Sequence, residues 1–312
     1  MLKFKLRKIS IQEIFRIIAF ALCLIILILA PIITTIDNKN ASGEDDITVM
    51  TLWQIDSFEG GKGSRADFLQ KVADRIFKDK SCYIKVTALT ADAARLNLSE
   101  GNIPDIISYG AGMFGIENFI CDETPYYTWC RGGYCILSIS DNADFSDCSK
   151  DNTIINGGTD NLSYAAAIFC GLKDAKVDKP TGAYVQLVNG KYKYLLGTQR
   201  DIFRLKSRGV AFKLKPITEF NDLYQNISIF TKETKKYNYA KKFINCLLSE
   251  NNEISNLGLF FDGNKIYDDE LSQMEDVQFT YKLKTLLSED IKKEVDNAIL
   301  NCDENKLKKL FK

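Results

Sequence analysis

Trp53, Asp56 and Glu59 stand close together, directly ahead of Gly60, Gly61 and Gly63. An indole face can stack on the apolar side of a sugar ring while carboxylates bond to its hydroxyls. Paired carboxylates are also the equipment of a glycosidase, but that chemistry depends on a fixed separation that sequence does not set. Gly61-Lys62-Gly63-Ser64-Arg65-Ala66 matches the dinucleotide pattern GxGxxA, with Asp92 after the next strand. The fingerprint should begin directly after its strand, whereas about seven residues separate Gly61 from Trp53. A Walker loop fails too, because Lys62 is followed by Gly63 rather than Ser or Thr. The glycines therefore read as a turn into a capped helix, whose first N–H groups can meet an anion or a hydroxyl.

Three further aromatics belong to the same pattern. Tyr109 follows the strand of GNIPDIIS, and Trp129 and Tyr134 flank Gly132-Gly133 in TPYYTWCRGGYCILSI. Each alone fits a core position as well as a binding one; together, beside glycines at strand ends, they suit sugar stacking. Thr198 and Arg200 in YKYLLGTQRDIFRL are weaker candidates, since Arg200 and Asp201 can equally pair across a helix start.

The elements that carry these residues follow from periodicity. Residues 47–53 form a β-branched apolar run of strand length, and Ser64 caps a helix with Phe68, Leu69, Val72 and Ile76 on one face. Residues 82–90 alternate as a half-buried strand, 91–98 read as a small-residue helix, and 101–108 as another strand. Two strand–helix–strand passes so close together predict a parallel sheet, with ligand at the carboxyl ends of its strands. Further on, 134–139, 154–158 and 227–230 read as strands. An Ala-rich helix is expected over 162–172, an amphipathic one over 239–248, and charged helix from Asp268 onward.

The chain of 312 residues has no net charge, which gives no nucleic-acid surface, and no histidine, which excludes His-dependent triads and the HExxH metalloprotease site. Its nine cysteines form no CxxC pair, so most read as small buried hydrophobes, with one pairing conceivable among Cys121, Cys130 and Cys135. No cofactor or metal is implied. Residues 1–16 are basic and 17–36 are almost wholly aliphatic, a length suited to a membrane anchor or uncleaved signal with the remainder outside. Residues 37–45 form an acidic tether, and 46–312 the main domain.

TLW, the glycine turn, GNIPDIISYG, YYTWCRGGY, LLGTQRD and YAKKFINCLL together resemble the extracellular solute-binding proteins of ABC importers, nearest the sugar-binding group of Gram-positive bacteria. The resemblance implies an α/β, two-lobed periplasmic-binding-protein-like fold of class II, here behind an N-terminal transmembrane helix rather than a lipidated cysteine. By the family's chain path, lobe one takes about 46–127 and 209–256, and lobe two 128–208 and 257–312. The implied activity is binding rather than catalysis: capture of a small molecule, most simply a sugar, and presentation to importer transmembrane subunits. Trp53, Asp56, Glu59, Tyr109, Trp129, Tyr134 and Arg200 are the expected ligand contacts. On this view Trp53→Ala weakens binding by about tenfold or more with little loss of folding. The rival classes are a membrane-anchored glycan-acting enzyme and a sensory or interaction module of the same fold.

Overall fold

The computed structural model describes residues 47–157, 163–249, 251–263 and 265–311. The expected basic segment, membrane anchor and tether, together with Gly158 and Thr159, lie outside the described residues. Among the described residues no helix is long and apolar enough to cross a membrane. From Thr48 onward the chain forms one unit.

The two expected strand–helix–strand passes are present. They comprise β1 (Thr48–Ile55), α1 (Arg65–Ile76), β2 (Cys82–Leu89), α2 (Ala91–Ser99) and β3 (Ile106–Gly110). β1 runs parallel to both β2 and β3. Ser64 caps α1 as predicted, its hydroxyl accepting the Asp67 N–H at 3.2 Å. Phe68, Leu69 and Val72 bury the inner face of that helix. The chain continues through β4 (Tyr127–Arg131), β5 (Tyr134–Ser138), β6 (Thr153–Asn156), α3 (Ser163–Phe169), β7 (Lys176–Asp178) and α4 (Pro180–Val188). Next come β8 (Tyr194–Thr198), α5 (Gln199–Ser207), β9 (Lys213–Pro216), β10 (Phe220–Asn221), β11 (Tyr224–Ile229) and α6 (Thr234–Ser249). β12 (Tyr281–Lys282), α7 (Glu289–Leu300) and α8 (Glu304–Leu310) complete it.

Two five-stranded sheets share one plan. The first has the order β2-β1-β3-β11-β4 and the second β7-β6-β8-β5-β9. In each, parallel strands are followed by an antiparallel one, β11 or β5, and then an outer strand. That antiparallel strand enters its sheet just after the chain crosses from the other. One crossing is Gly132-Gly133 and the other spans 217–223; they touch, Gly132 donating to the Leu223 carbonyl at 2.7 Å. A Cβ on Gly132 would come within 3.1 Å of Phe58, and one on Gly133 within 2.9 Å of Met274, so the glycines serve close approach. The crossings thus fall after Arg131 and Pro216 rather than near 128 and 209. β4 and β9 each stay hydrogen-bonded in the sheet they leave.

Each lobe has cores on both faces of its sheet. In the first, α1 and α6 cover one face around Trp129 and Phe243, and α2 lies over the other around Tyr109. In the second, α3, α7 and α8 pack on one face, with α4 and α5 on the other. The continuous helix expected from Asp268 is not what forms. Residues 275–288 are extended or irregular and β12 pairs with β10. The Leu287 carbonyl accepts the Gly115 N–H at 2.8 Å before α7 begins.

Candidate functional site

The loop after β1 and the first turns of α5 meet beside the chain crossings. Thr198 and Asp201 form a capping box at the start of α5. Asp201 is fully buried. It accepts from Asn156 Nδ2 at 2.7 Å, from the Thr198 N–H at 3.1 Å and from Arg204 Nη1 at 3.2 Å. Burial pushes its carboxyl above the ordinary value against those three partners. Arg200 and Arg204, one helical turn apart, are thereby aimed at the β1–α1 loop.

That loop fills the seam. Asp56 Oδ1 accepts from Gln54 Nε2 at 2.9 Å and from Arg65 Nε at 2.7 Å. The Arg65 guanidinium also donates to the Phe58 carbonyl and lies 4.4 Å from the Phe58 ring centre. Phe58 packs against cores of both lobes. Glu59 Oε2 reaches Arg204 Nη2 at 3.3 Å and Arg200 Nε at 3.7 Å. Arg200 Nη1 donates to the carbonyls of Gly60 and Gly61 at 3.3 and 3.0 Å. Gln199 bridges loop and crossing, donating to the Glu59 carbonyl at 3.1 Å and accepting the Gly133 N–H at 3.0 Å. Phe203 lies directly on Gly61 and Gly258, where a β-carbon at either position would collide with its ring.

Of the expected contacts, Asp56, Glu59 and Arg200 come together here. The four aromatics do not. Trp129 is fully buried in the first lobe, stacked on Phe68 at 5.9 Å, its Nε1 donating to Ser108 Oγ at 3.0 Å. Tyr109 is fully buried, 3.0 Å from Ser228 Oγ, and burial pushes its hydroxyl up to about 12. Tyr134 stacks on Phe220 and donates to Asp222 at 2.7 Å within the second lobe's core. Trp53 is half-buried against the core beside α2. Each projects from a face of its sheet onto packed side chains: Trp129 onto α1, Tyr109 and Trp53 towards α2, and Tyr134 onto Phe220.

Sequence reasoning missed Phe58, Arg65, Gln199 and Arg204. Arg204 had a signal, since it lies four residues after Arg200 on a capped helix; Phe58 had none. Away from the seam, a cavity of about 420 Å³ runs beside β4, lined by Tyr126, Tyr127, Phe261 and Lys284 among others. Among the described residues no group of three His, Cys, Asp or Glu is disposed to hold a metal ion.

No family model and no curated protein matches the sequence. Solved structures do match in fold. Iron-bound HitA from Pseudomonas aeruginosa aligns over 83% of this chain and 99% of its own, at 11% identity and a TM-score of 0.52. Apo FutA2 from Synechocystis PCC6803 aligns over 85% and 99%, at 9% identity and a TM-score of 0.51. The substrate-binding domain of a putative molybdenum ABC transporter from Clostridium difficile aligns over 68% and 98%, at 13% identity and a TM-score of 0.47. With the strand orders above, the first two establish a two-lobed periplasmic-binding-protein-like fold of class II.

Proposed function

We propose that the protein captures a small molecule between its lobes and presents it to the transmembrane subunits of an ABC-type importer. It would do so from outside the cell membrane, tethered by residues 17–36. The observation that carries this reading is the seam itself. Polar side chains from the β1–α1 loop and from α5 converge where two chain crossings join the lobes. Hinge rotation about those crossings would open the seam, and ligand would favour the closed form through contacts made only there. On this reading the chemistry is binding, with Asp56 and Glu59 each engaged by a guanidinium group.

A sugar is the ligand class that the sequence resemblance implies. The four aromatics expected to stack on it are packed elsewhere, and the rings at the seam are Phe58 and Phe203. A second reading, a sensory or interaction module that has no small ligand, is favoured by one observation: the seam is bridged by the protein's own side chains.

Thermal melting of the detergent-solubilised full chain against sugars, polyols, amino acids, organic acids and phosphate separates the two. A ligand that binds the folded state raises the midpoint, by about 2.7 kcal/mol of stabilisation at a hundred times Kd. A shift with one compound class and no turnover is the expected result. A well-folded sample that answers to none of them would leave the interaction module as the better account.

A further inference from the structure

The seam is closed by a side chain with the chemistry of a ligand. Glu59 extends a carboxylate from one lobe onto two guanidinium groups of the other, yet the grip is incomplete. The approach to Arg204 is 3.3 Å and that to Arg200 Nε is 3.7 Å, with the Glu59 side chain 48% exposed. Arg200 Nε is buried and makes no hydrogen bond among the described residues. A planar guanidinium favours a paired, in-plane carboxylate. Neither arginine receives that from Glu59.

Beneath the same loop lies a polar floor. Gln54, Arg65 and Gln225 are 1%, 4% and 0% exposed. Each has one side-chain atom without a hydrogen-bond partner among the described residues: Gln54 Oε1, Arg65 Nη1 and Gln225 Oε1. Ser57 Oγ, which sits directly on Gly110, is in the same condition. Buried polar atoms left unpaired are costly, and their concentration in one place marks a site whose partners come from elsewhere. Gln54 and Arg65 share Asp56 Oδ1, and Gln225 holds the Ile55 carbonyl at 3.0 Å, so the floor is continuous with the start of the loop.

Resting on the reading of the protein as a solute-binding protein, we propose that Ser57, Phe58 and Glu59 form an internal stand-in for the ligand. The ligand that displaces them is a small carboxylate-bearing molecule. Its carboxylate takes the place of Glu59 on Arg200 and Arg204, and its remaining polar groups meet Gln54, Arg65 and Gln225. Phe58, wedged between Arg65 and the Gly132 crossing, leaves with the loop. Gly61 stays pinned under Phe203 and marks the point where the moving segment ends.

The test is calorimetric titration of the full chain, wild type and Glu59→Gln, Arg200→Gln and Arg204→Gln, with succinate, citrate and glutamate. Inorganic phosphate and glucose are the comparison probes. At least one carboxylate should bind. Glu59→Gln removes the internal competitor and should tighten that binding by about fivefold or more. Arg200→Gln and Arg204→Gln should each weaken it by about tenfold or more. Arg200→Gln is the safer of the two for folding, because Arg204 also neutralises buried Asp201. Melting midpoints of the unliganded variants establish that they are folded. Phosphate binding with the same dependence on these three residues, in place of carboxylate, would overturn the carboxylate assignment. Glucose binding that is indifferent to all three substitutions would overturn the stand-in while leaving the solute-binding function intact. No binding of any probe to either the wild type or Glu59→Gln would remove the stand-in. The function itself falls only if the wider melting screen is silent as well.

Discussion

The β1–α1 loop and the buried aromatics of β3, β4 and β5 carry the same kind of local signal, chemistry-bearing side chains beside glycines at strand ends. Yet one became a seam between lobes and the other became core. Asp56 and Glu59 are exposed and paired with arginines. Tyr109 and Trp129 are sealed, and Tyr134 is 3% exposed. The difference lies in what the rest of the chain brings. The loop after β1 meets the first turns of α5 at the seam, whereas Tyr109, Trp129 and Tyr134 lie on sheet faces closed by packed cores. Residue type and local spacing propose a site; long-range packing on the sheet faces decides whether it stays open.

The largest effect that would break this contrast belongs to Trp129. Its indole is fully buried, stacked nearly parallel to Phe68 and hydrogen-bonded to Ser108. Trp129→Ala should cost about 3–5 kcal/mol in urea-denaturation stability. A variant of near wild-type stability would return Trp129 to the list of ligand contacts. Tyr134→Phe comes next. It keeps the ring against Phe220 and removes the donor to the Asp222 carboxylate, a bond to a charged group worth about 1.5–3 kcal/mol. Loss of ligand affinity with unchanged stability would contradict the core assignment.

These contrasts also measure how much was legible. The opening βα unit, the Ser64 cap and the inner face of α6 are local, and periodicity and cap chemistry find them. The class II arrangement was reached by resemblance rather than by pattern, because antiparallel insertion of β5 and β11 has no local signature. The segment after Asp268 misled for the opposite reason. Its apolar residues fall at helical spacing, but Tyr281 and Lys282 pair with β10, and Leu283 packs in the second lobe's core while its N–H donates to the Asn221 carbonyl at 3.0 Å, which draws the chain extended. At the seam, Glu59 and Arg200 were identified separately. Their pairing across the lobes was not, because it joins residues 141 positions apart (200 − 59).

A smaller effect separates the carboxylates of the two lobes by pH. Asp122, whose side chain is 3% exposed, lies within hydrogen-bonding distance of Lys241, Tyr127 and Tyr237. Burial pulls its carboxyl up, but those partners outweigh it and hold it below the ordinary 3.8. The contribution is therefore present above the unfolded value and is lost as pH falls through the folded one. Asp122→Asn should be destabilising at neutral pH, and its gap to wild type should narrow below about pH 4. Buried Asp201 has the opposite sign. Its raised carboxyl is a penalty at neutral pH that acidification relieves as pH falls through the folded value towards the unfolded one. A gap for Asp122→Asn that stays constant between neutral and acid pH would show that its network does not depend on the charge.

Glu59→Gln should give the smallest change in stability, and that is what makes it informative. The pair with Arg204 is half-exposed and 3.3 Å long, and such pairs contribute about 0.2–1 kcal/mol. Trp129 and Glu59 were proposed as ligand contacts on similar sequence grounds, so their substitutions place core and seam on one scale of unfolding free energy. The ratio should be large, with Glu59→Gln within about 1 kcal/mol of wild type in urea. If Glu59→Gln instead cost as much as a core truncation, the seam would be a structural joint between the lobes. The polar atoms beneath Phe58 would then have to be explained without a ligand.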